Sequence, residues 1–151
     1  MITWKRLSFS QFTPDELYDL LQLRVNVFIV EQNCPYPELD DKDRAKGAEH
    51  LLGFNGSELI ACARLLPEGL SYPSASIGRI ATKASSRGDG LGHELLKQAL
   101  THINELWPNA AIEIGAQAHL AKFYQSHGFV QTSEPYLEDD ILHIDMKRTG
   151  E

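Results

Sequence analysis

The sequence has few cysteines, little positive charge and no long apolar run. Its two cysteines, Cys34 and Cys62, lie far apart in the 151 residues, so we expect reduced thiols, with a disulfide between them as the alternative. Apolar runs such as residues 27–30 are much shorter than the ~20 residues that span a bilayer, and the first residues lack the pattern of a signal peptide. These absences predict a cytoplasmic protein without a membrane partner.

The balance of charge is acidic, with 14 Lys and Arg against 21 Asp and Glu and a formal net charge of −7. Binding to nucleic acid needs a clustered basic face, so the composition argues against that partner and favours a cationic one. The composition, 42% hydrophobic and 23% charged, is typical of a globular protein. At this length one ordinary core suffices, so we expect a single domain over residues 1–151.

Local signals predict the main elements. Thr13, Pro14 and Glu16 form a capping-box pattern that predicts a helix over residues 14–31, and the Asn-Gly turn at residues 55–56 predicts a hairpin of strands 49–54 and 59–66. The other predicted elements are a strand over 75–83, a helix that ends at 107, a strand over 111–115, a helix over 119–127, and strands over 129–133 and 141–147. With a first strand, the order βα, βββ, α, β, α, ββ indicates an α/β or α+β fold with a mixed sheet.

A glycine-rich segment, residues 87–92, lies between a predicted strand and a predicted helix. Gly88, Gly90 and Gly92 stand at alternate positions, which permits positive φ angles and lets successive N–H groups face one concavity, as in an anion site. A simple turn, in which Gly92 allows close packing, is the alternative. The segment is neither a P-loop nor a dinucleotide fingerprint, because no Gly-Lys-Ser/Thr follows and His93 occupies the last glycine position.

Two motifs together resemble the GCN5-related N-acetyltransferase (GNAT) superfamily. The pattern Arg87-x-x-Gly90-x-Gly92 is similar to its pyrophosphate-binding motif, and residues 123–129 are similar to its Phe-Tyr-x-x-x-Gly-Phe segment. Further similarity extends over the whole chain to the ElaA-like branch, at residues 20–24, 27–32, 33–36, 115–120 and 136–146. The resemblance implies a GNAT-like mixed, mostly antiparallel sheet with helices on both faces and a splayed pair of parallel strands.

The resemblance also implies acetyl-CoA as a co-substrate, bound between the two parallel strands without a metal. Tyr124 matches the tyrosine that serves as general acid in many members, although a core tyrosine is the alternative. Gln117 stands where many relatives carry asparagine, and its role stays open. The resemblance assigns cofactor binding to Ile80, Ala81, Thr82, Arg87, Gly88, Asp89, Gly90, Leu91, Gly92, Gln117 and Tyr124.

The reaction implied is acetyl transfer to a primary amine of a small molecule or peptide, by direct attack in a ternary complex. An amine of pKa ~10.4 is protonated at pH 7, so a base is needed. The candidates for a base or for the acceptor pocket are Glu31, His50 and His143, with Glu113 and His119 also considered. The alternative function is an acyl-CoA-binding sensor without useful turnover, and a homodimer is left open. The six histidines show no metal-ligand spacing.

Arg24 and Glu31 fall about 20° apart on the wheel of one continuous helix, inside its apolar arc. Unpaired charges there would be costly, so both need partners. One interpretation is a structural ion pair with the loop at residues 40–43 or with another carboxylate. The other is that the helix ends before Glu31 and both groups face the acceptor pocket, where Glu31 would anchor an ammonium ion.

Overall fold

The computed structural model describes residues 1–150, and its eight strands form one sheet. Their order across the sheet is β1-β2-β3-β4-β5-β8-β6, and the short strand β7 pairs with β8 beside β6. The strands are β1 (Ile2–Ser8), β2 (Glu49–Asn55), β3 (Glu58–Leu66), β4 (Ala75–Thr82), β5 (Ile112–Gln117), β6 (Val130–Gln131), β7 (Tyr136–Glu138) and β8 (Ile141–Arg148). All neighbours are antiparallel except β4 and β5.

Helices cover both faces of this sheet. Helix α1 (Pro14–Val25) packs Leu20 and Leu23 on one face, against apolar side chains of β2, β3 and β4. Helices α2 (Leu91–Leu106) and α3 (Ala121–Gln125) pack on the other face, which holds the larger core. None of the helices in residues 1–150 combines the length and apolarity needed to cross a bilayer. The arrangement confirms the predicted mixed sheet with helices on both faces.

The two parallel strands separate soon after they meet. Strands β4 and β5 pair only at Ala75 with Ile112 and at Ser76 with Glu113. Beyond that point β4 carries a bulge, marked by a register shift against β3 and by a positive φ of 49° at Arg79. A bulge bends its strand and increases its twist, so β4 turns away from β5 and a cleft opens between them.

The first helix differs from its prediction. Helix α1 begins at Pro14 with the expected capping box but ends at Val25, and the chain continues as a π-helix over Asn26–Glu31. The i→i+5 bonds of a π-helix place more residues in each turn, so the side chains after residue 25 leave the wheel of α1. Arg24 is fully buried while Glu31 reaches solvent. The helical segment therefore extends to residue 31 as predicted, but the regular α-helical spacing assumed for residues 26–31 is wrong.

Smaller differences occur near the C-terminus. The predicted helix over 119–127 begins with a 3₁₀ turn at Ala118–Leu120 and is regular only over Ala121–Gln125. Strand β7 was not predicted, because its three residues are mostly exposed and carry no apolar alternation. The hairpin of β2 and β3, the strand β4 and the helix α2 agree with their predictions to within two residues.

Candidate active site

The separated strands border a cleft of about 810 Å³. Residues 76–82 of β4 and residues 114–117 of β5 line its walls. Tyr124 of α3 also borders it, as do Val27, Phe28, Glu31 and Gln32. Of the predicted cofactor residues, Ile80, Ala81, Thr82, Arg87, Gly92, Gln117 and Tyr124 border this space. The structure thus brings residues from four distant segments together at one opening.

The glycine-rich loop turns into helix α2 through two residues with positive φ. Gly88 has a φ of +114° and Gly90 a φ of +76°, and Gly90 is the N-cap of α2 without any side-chain cap. A Cβ atom at either position would meet nothing within 4 Å, so glycine is needed there for the backbone conformation rather than for space. The first N–H groups of α2 have no intrahelical partner, which suits a pyrophosphate group.

Arg87 ties this loop to two other elements. Its guanidinium forms a bidentate ion pair with Glu31, at 2.6 and 3.0 Å, and donates to the carbonyl oxygen of Thr82 at 2.7 Å. The bond from Arg87 holds the pKa of the Glu31 carboxyl below its usual range. Glu31 borders the cleft at its glycine-loop end, where its carboxylate is paired with Arg87, and its role as an ammonium anchor or base stays a prediction.

Tyr124 lies in the wall of the cleft with its hydroxyl unengaged. The side chain is 6% exposed and its ring makes edge contacts with Phe123 and Phe129. Within residues 1–150 the hydroxyl makes no hydrogen bond. Burial raises the pKa of Tyr124 to about 12. A buried phenol with a free proton faces the cleft, whereas a purely structural tyrosine usually has its hydroxyl bonded.

Gln117 borders the cleft at the end of β5. Its side-chain amide donates to Gln32 Oε1 at 3.3 Å. This bond links β5 to the segment just after the π-helix and positions the amide beside the cleft. His119, one of the other candidates, also lines the cleft, whereas Glu113 is not among the lining residues.

Three arginines and three carboxylates form a partly buried network beneath the acidic loop. The arginines of this arginine–carboxylate network are Arg24, Arg64 and Arg79, and its carboxylates are Glu38, Asp40 and Asp43. Each arginine bonds two of the carboxylates, at distances of 2.6 to 3.4 Å. Arg24 bonds Glu38 and Asp43, so its role is the structural ion pair rather than a place in the acceptor pocket.

His50 belongs to this network and not to the cleft. It is 1% exposed, its Nε2 donates to the carbonyl oxygen of Asp43 at 2.9 Å, and its ring lies edge-on to Phe12. Burial lowers the pKa of His50, which keeps it neutral. Because it does not border the cleft, the prediction of His50 as a base or acceptor residue is corrected to a structural role.

His143 does border the cleft, beside two tyrosines and an aspartate that no sequence motif indicated. Its Nδ1 donates to the carbonyl oxygen of Ile141 at 2.7 Å, and its ring stacks on Tyr136 with centroids 6.1 Å apart. Tyr136 and Tyr72 both donate to Asp145 Oδ1, at 2.7 and 3.1 Å. We call these last three residues the tyrosine–aspartate cluster. The alternation of β8, which places residues 143 and 145 on one face, was the available signal for Asp145.

Comparison with known proteins agrees with this geometry. The sequence profile described as an acetyltransferase (GNAT) domain matches residues 21–149. Protein ElaA of Escherichia coli K12 is 43% identical over 148 residues, which cover 98% of this chain and 97% of ElaA. The crystal structure of Escherichia coli ElaA superposes with a TM-score of 0.92 at 42% identity, covering 98% of this chain and 99% of that one.

A second solved structure is equally similar. It is described as an acyl-CoA N-acyltransferase from Pseudomonas aeruginosa, and it superposes with a TM-score of 0.94 at 42% identity over 99% of this chain and all of that one. The diverging parallel strands, the glycine turn before α2 and the similarity along nearly the full length lead to one assignment. The chain belongs to the GNAT acetyltransferase family, in its ElaA-like branch.

Proposed function

We propose that the protein transfers an acetyl group from acetyl-CoA to a primary amine, by direct attack within a ternary complex. The observation that carries this proposal is the unengaged Tyr124 hydroxyl in the wall of the cleft between β4 and β5, next to the glycine turn. The similarity to an acyl-CoA N-acyltransferase supports the co-substrate. Bound there, acetyl-CoA would supply the activated thioester.

The residues around the cleft suit that co-substrate. The N–H groups of residues 88–92 would hold the pyrophosphate at the start of α2, and residues 80–82 would hold the pantetheine arm along the free edge of β4. Arg87 is committed to Glu31 and Thr82, so we expect it to position the loop rather than to bind phosphate alone. The amide of Gln117 would lie beside the pantetheine arm.

Tyr124 would assist the departing sulfur. A pKa of about 12 keeps its phenol protonated throughout the physiological range, so it can donate a hydrogen bond to the sulfur as negative charge develops. A free thiol has a pKa of ~8.5, so complete transfer from this phenol would be uphill. We therefore expect the phenol to give its proton to the sulfur while it takes another from the attacking nitrogen. The nitrogen must lose that proton to form the amide.

The test combines binding with turnover. Calorimetric titration with acetyl-CoA measures the first, and release of free thiol in the presence of peptide amines, polyamines, amino sugars and simple alkylamines measures the second. We expect micromolar binding and amine-dependent thiol release. Binding without release for any amine would instead support an acyl-CoA sensor, and absence of binding would overturn both functions.

A further inference from the structure

The tyrosine–aspartate cluster lies at the part of β5 that borders the cleft. A Cβ atom on Gly115 would be 2.9 Å from the Tyr72 hydroxyl and 3.2 Å from the Tyr136 hydroxyl. Both phenol oxygens thus rest directly on the β5 backbone, at a position that only glycine leaves open. Tyr72 and Tyr136 line the cleft, while Asp145 lies behind them, paired with Gly115 across β5 and β8.

Asp145 has hydrogen bonds but no counter-charge. Its Oδ1 accepts both phenol protons, and it forms no ion pair with any residue in the described range 1–150. By contrast, Arg79 and Arg64 accompany the neighbouring carboxylate Asp40. A half-buried carboxylate without a cation attracts one. The two phenols donate their protons inward, so their oxygen lone pairs are available to N–H donors in the cleft.

The cluster and Tyr124 reach the cleft from opposite faces of β5. Ile114 and Ala116 point into the core that contains Tyr124, whereas Gly115 lies under the two phenols. Successive residues of a strand point to opposite faces. A thioester held between the strands would therefore have the proton donor for its sulfur on one side and the cluster on the other.

We propose that the tyrosine–aspartate cluster binds the ammonium group of the acceptor and that Asp145 takes its proton through the Tyr136 hydroxyl. This inference rests on the proposed function. The ammonium ion gives one proton to the Tyr136 oxygen while Tyr136 passes its own proton to Asp145, which leaves a neutral amine and a neutral carboxylic acid. The amine nitrogen then forms the C–N bond as the C–S bond breaks. The amine nitrogen then gives its second proton to the Tyr124 oxygen, which has given its own proton to the departing sulfur. Asp145 releases the proton that it took from the ammonium ion to solvent.

The surroundings of the cluster favour a relay over a phenolate base. Burial and the adjacent Asp145 raise the pKa of Tyr72, and they raise the pKa of Tyr136 to about 12. Both phenols therefore stay protonated and can only exchange protons. The other titratable groups near the cluster are His143, stacked on Tyr136, and Glu138, whose Oε2 lies 3.6 Å from His143 Nε2.

The first test measures binding without acetyl-CoA. The probe is n-butylammonium chloride, titrated into ¹⁵N-labelled protein while the amide signal of Gly115 is followed by NMR. We expect a saturable shift in the wild-type protein, and at least tenfold weaker binding in Asp145→Asn, whose amide oxygen can still accept both phenol protons. Asp140→Asn makes the same change of charge in the exposed turn before β8 and should bind within twofold of wild type. No saturable shift, or equal binding by Asp145→Asn, overturns the ammonium site.

The second test measures the pH dependence of kcat/KM for n-butylamine with acetyl-CoA. In Asp145→Asn and Tyr136→Phe we expect a loss of about 100-fold at pH 7, the scale of general base catalysis. The loss should shrink as pH approaches the amine pKa, because a free amine needs no base. A loss that is constant with pH overturns the proton relay. If n-butylamine is not acetylated, the binding titration decides the ammonium site, and the pH profile is measured with an amine of the panel that does release thiol. Thiol release with the whole panel of amines decides the proposed function separately.

Discussion

At the scale of single residues, removal of the Tyr124 hydroxyl distinguishes a catalytic role of this tyrosine from a structural one. A buried hydroxyl normally contributes to stability through its hydrogen bond, and its loss leaves a partner unsatisfied. The Tyr124 hydroxyl has no protein partner within residues 1–150. Its removal should therefore affect chemistry and leave the folded state almost unchanged.

Tyr124→Phe should lower kcat by about 100- to 10,000-fold, the range typical of general acid catalysis. The affinity for acetyl-CoA should stay close to that of wild type, and the free energy of unfolding should change by less than about 1 kcal/mol. Steady-state kinetics, calorimetry and urea unfolding measure the three quantities. Tyr18→Phe, at an exposed tyrosine of α1, is the control. Turnover within threefold of wild type would rule out the proton-donor role.

A second prediction at this scale concerns Gly53, where strand β2 faces Trp4 of β1. A Cβ atom on Gly53 would be 2.6 Å from the Trp4 ring, so Gly53→Ala must displace that ring. We expect a loss of about 1–3 kcal/mol in the free energy of unfolding, as for other overpacked sites. Gly78→Ala, whose Cβ would meet nothing within 4 Å, should change it by less than about 0.5 kcal/mol. Equal urea midpoints for the two variants would contradict this packing.

At the scale of elements, the loop before α2 combines backbone strain with a binding role. Gly90→Val places a β-branched residue at a φ of +76°, which costs roughly 1–2 kcal/mol and shifts the N–H groups that begin α2. Affinity for CoA should fall more than tenfold by calorimetry. Gly56→Val introduces comparable strain at a φ of +64° in the β2–β3 turn and should leave CoA binding unchanged. If both variants bind CoA normally, this loop does not hold the pyrophosphate.

The elements that the sequence predicted well carry local signals. The capping box at Thr13, the Asn-Gly turn at residues 55–56 and the stop at Pro108 each act within a few residues, so they can be identified without the fold. The π-helix after Val25 has no such signal, because its i→i+5 bonds use the same residue types as an α-helix. The prediction consequently placed Glu31 beside Arg24, although the fold separates them.

The candidate site was predictable only where a motif spans contiguous residues. The glycine loop and Tyr124 belong to such motifs. The tyrosine–aspartate cluster draws on a loop, on β7 and on β8, and its residue types are common in every globular protein. Only the pairing of β8 with β5 and β7 places Asp145 opposite Gly115 and beside Tyr136, so the cluster required the tertiary structure.

At the scale of the whole molecule, the arginine–carboxylate network anchors the acidic loop to the sheet and to α1. Its three positive and three negative charges are mutually compensated, so loss of one partner leaves a buried charge without compensation. Arg24→Met should reduce the free energy of unfolding by about 3–5 kcal/mol. Arg44→Met, which breaks the exposed pair of Arg44 with Asp41, should cost less than about 1 kcal/mol. Similar urea midpoints for both variants would show that the network adds no stability.

The same network predicts how stability depends on acid. Burial alone would raise the pKa of Asp43 and of Asp40, but hydrogen bonds and charges from Arg24, Arg64 and Arg79 outweigh it and hold both pKa values below the usual range. Because the folded-state pKa values lie below those of the unfolded chain, near ~3.9, the unfolded state binds more protons in acid. The stability that these two carboxylates contribute is therefore lost as pH falls below about 4.

Thermal unfolding of wild type between pH 7 and pH 3 should show that loss. Asp43→Asn should be less stable than wild type at pH 7, and the difference should narrow toward pH 3, because Asp43 of the unfolded wild-type chain takes up a proton there more readily than Asp43 of the folded protein. If wild type and Asp43→Asn differ equally in stability at both pH values, the charge of Asp43 does not stabilise the fold.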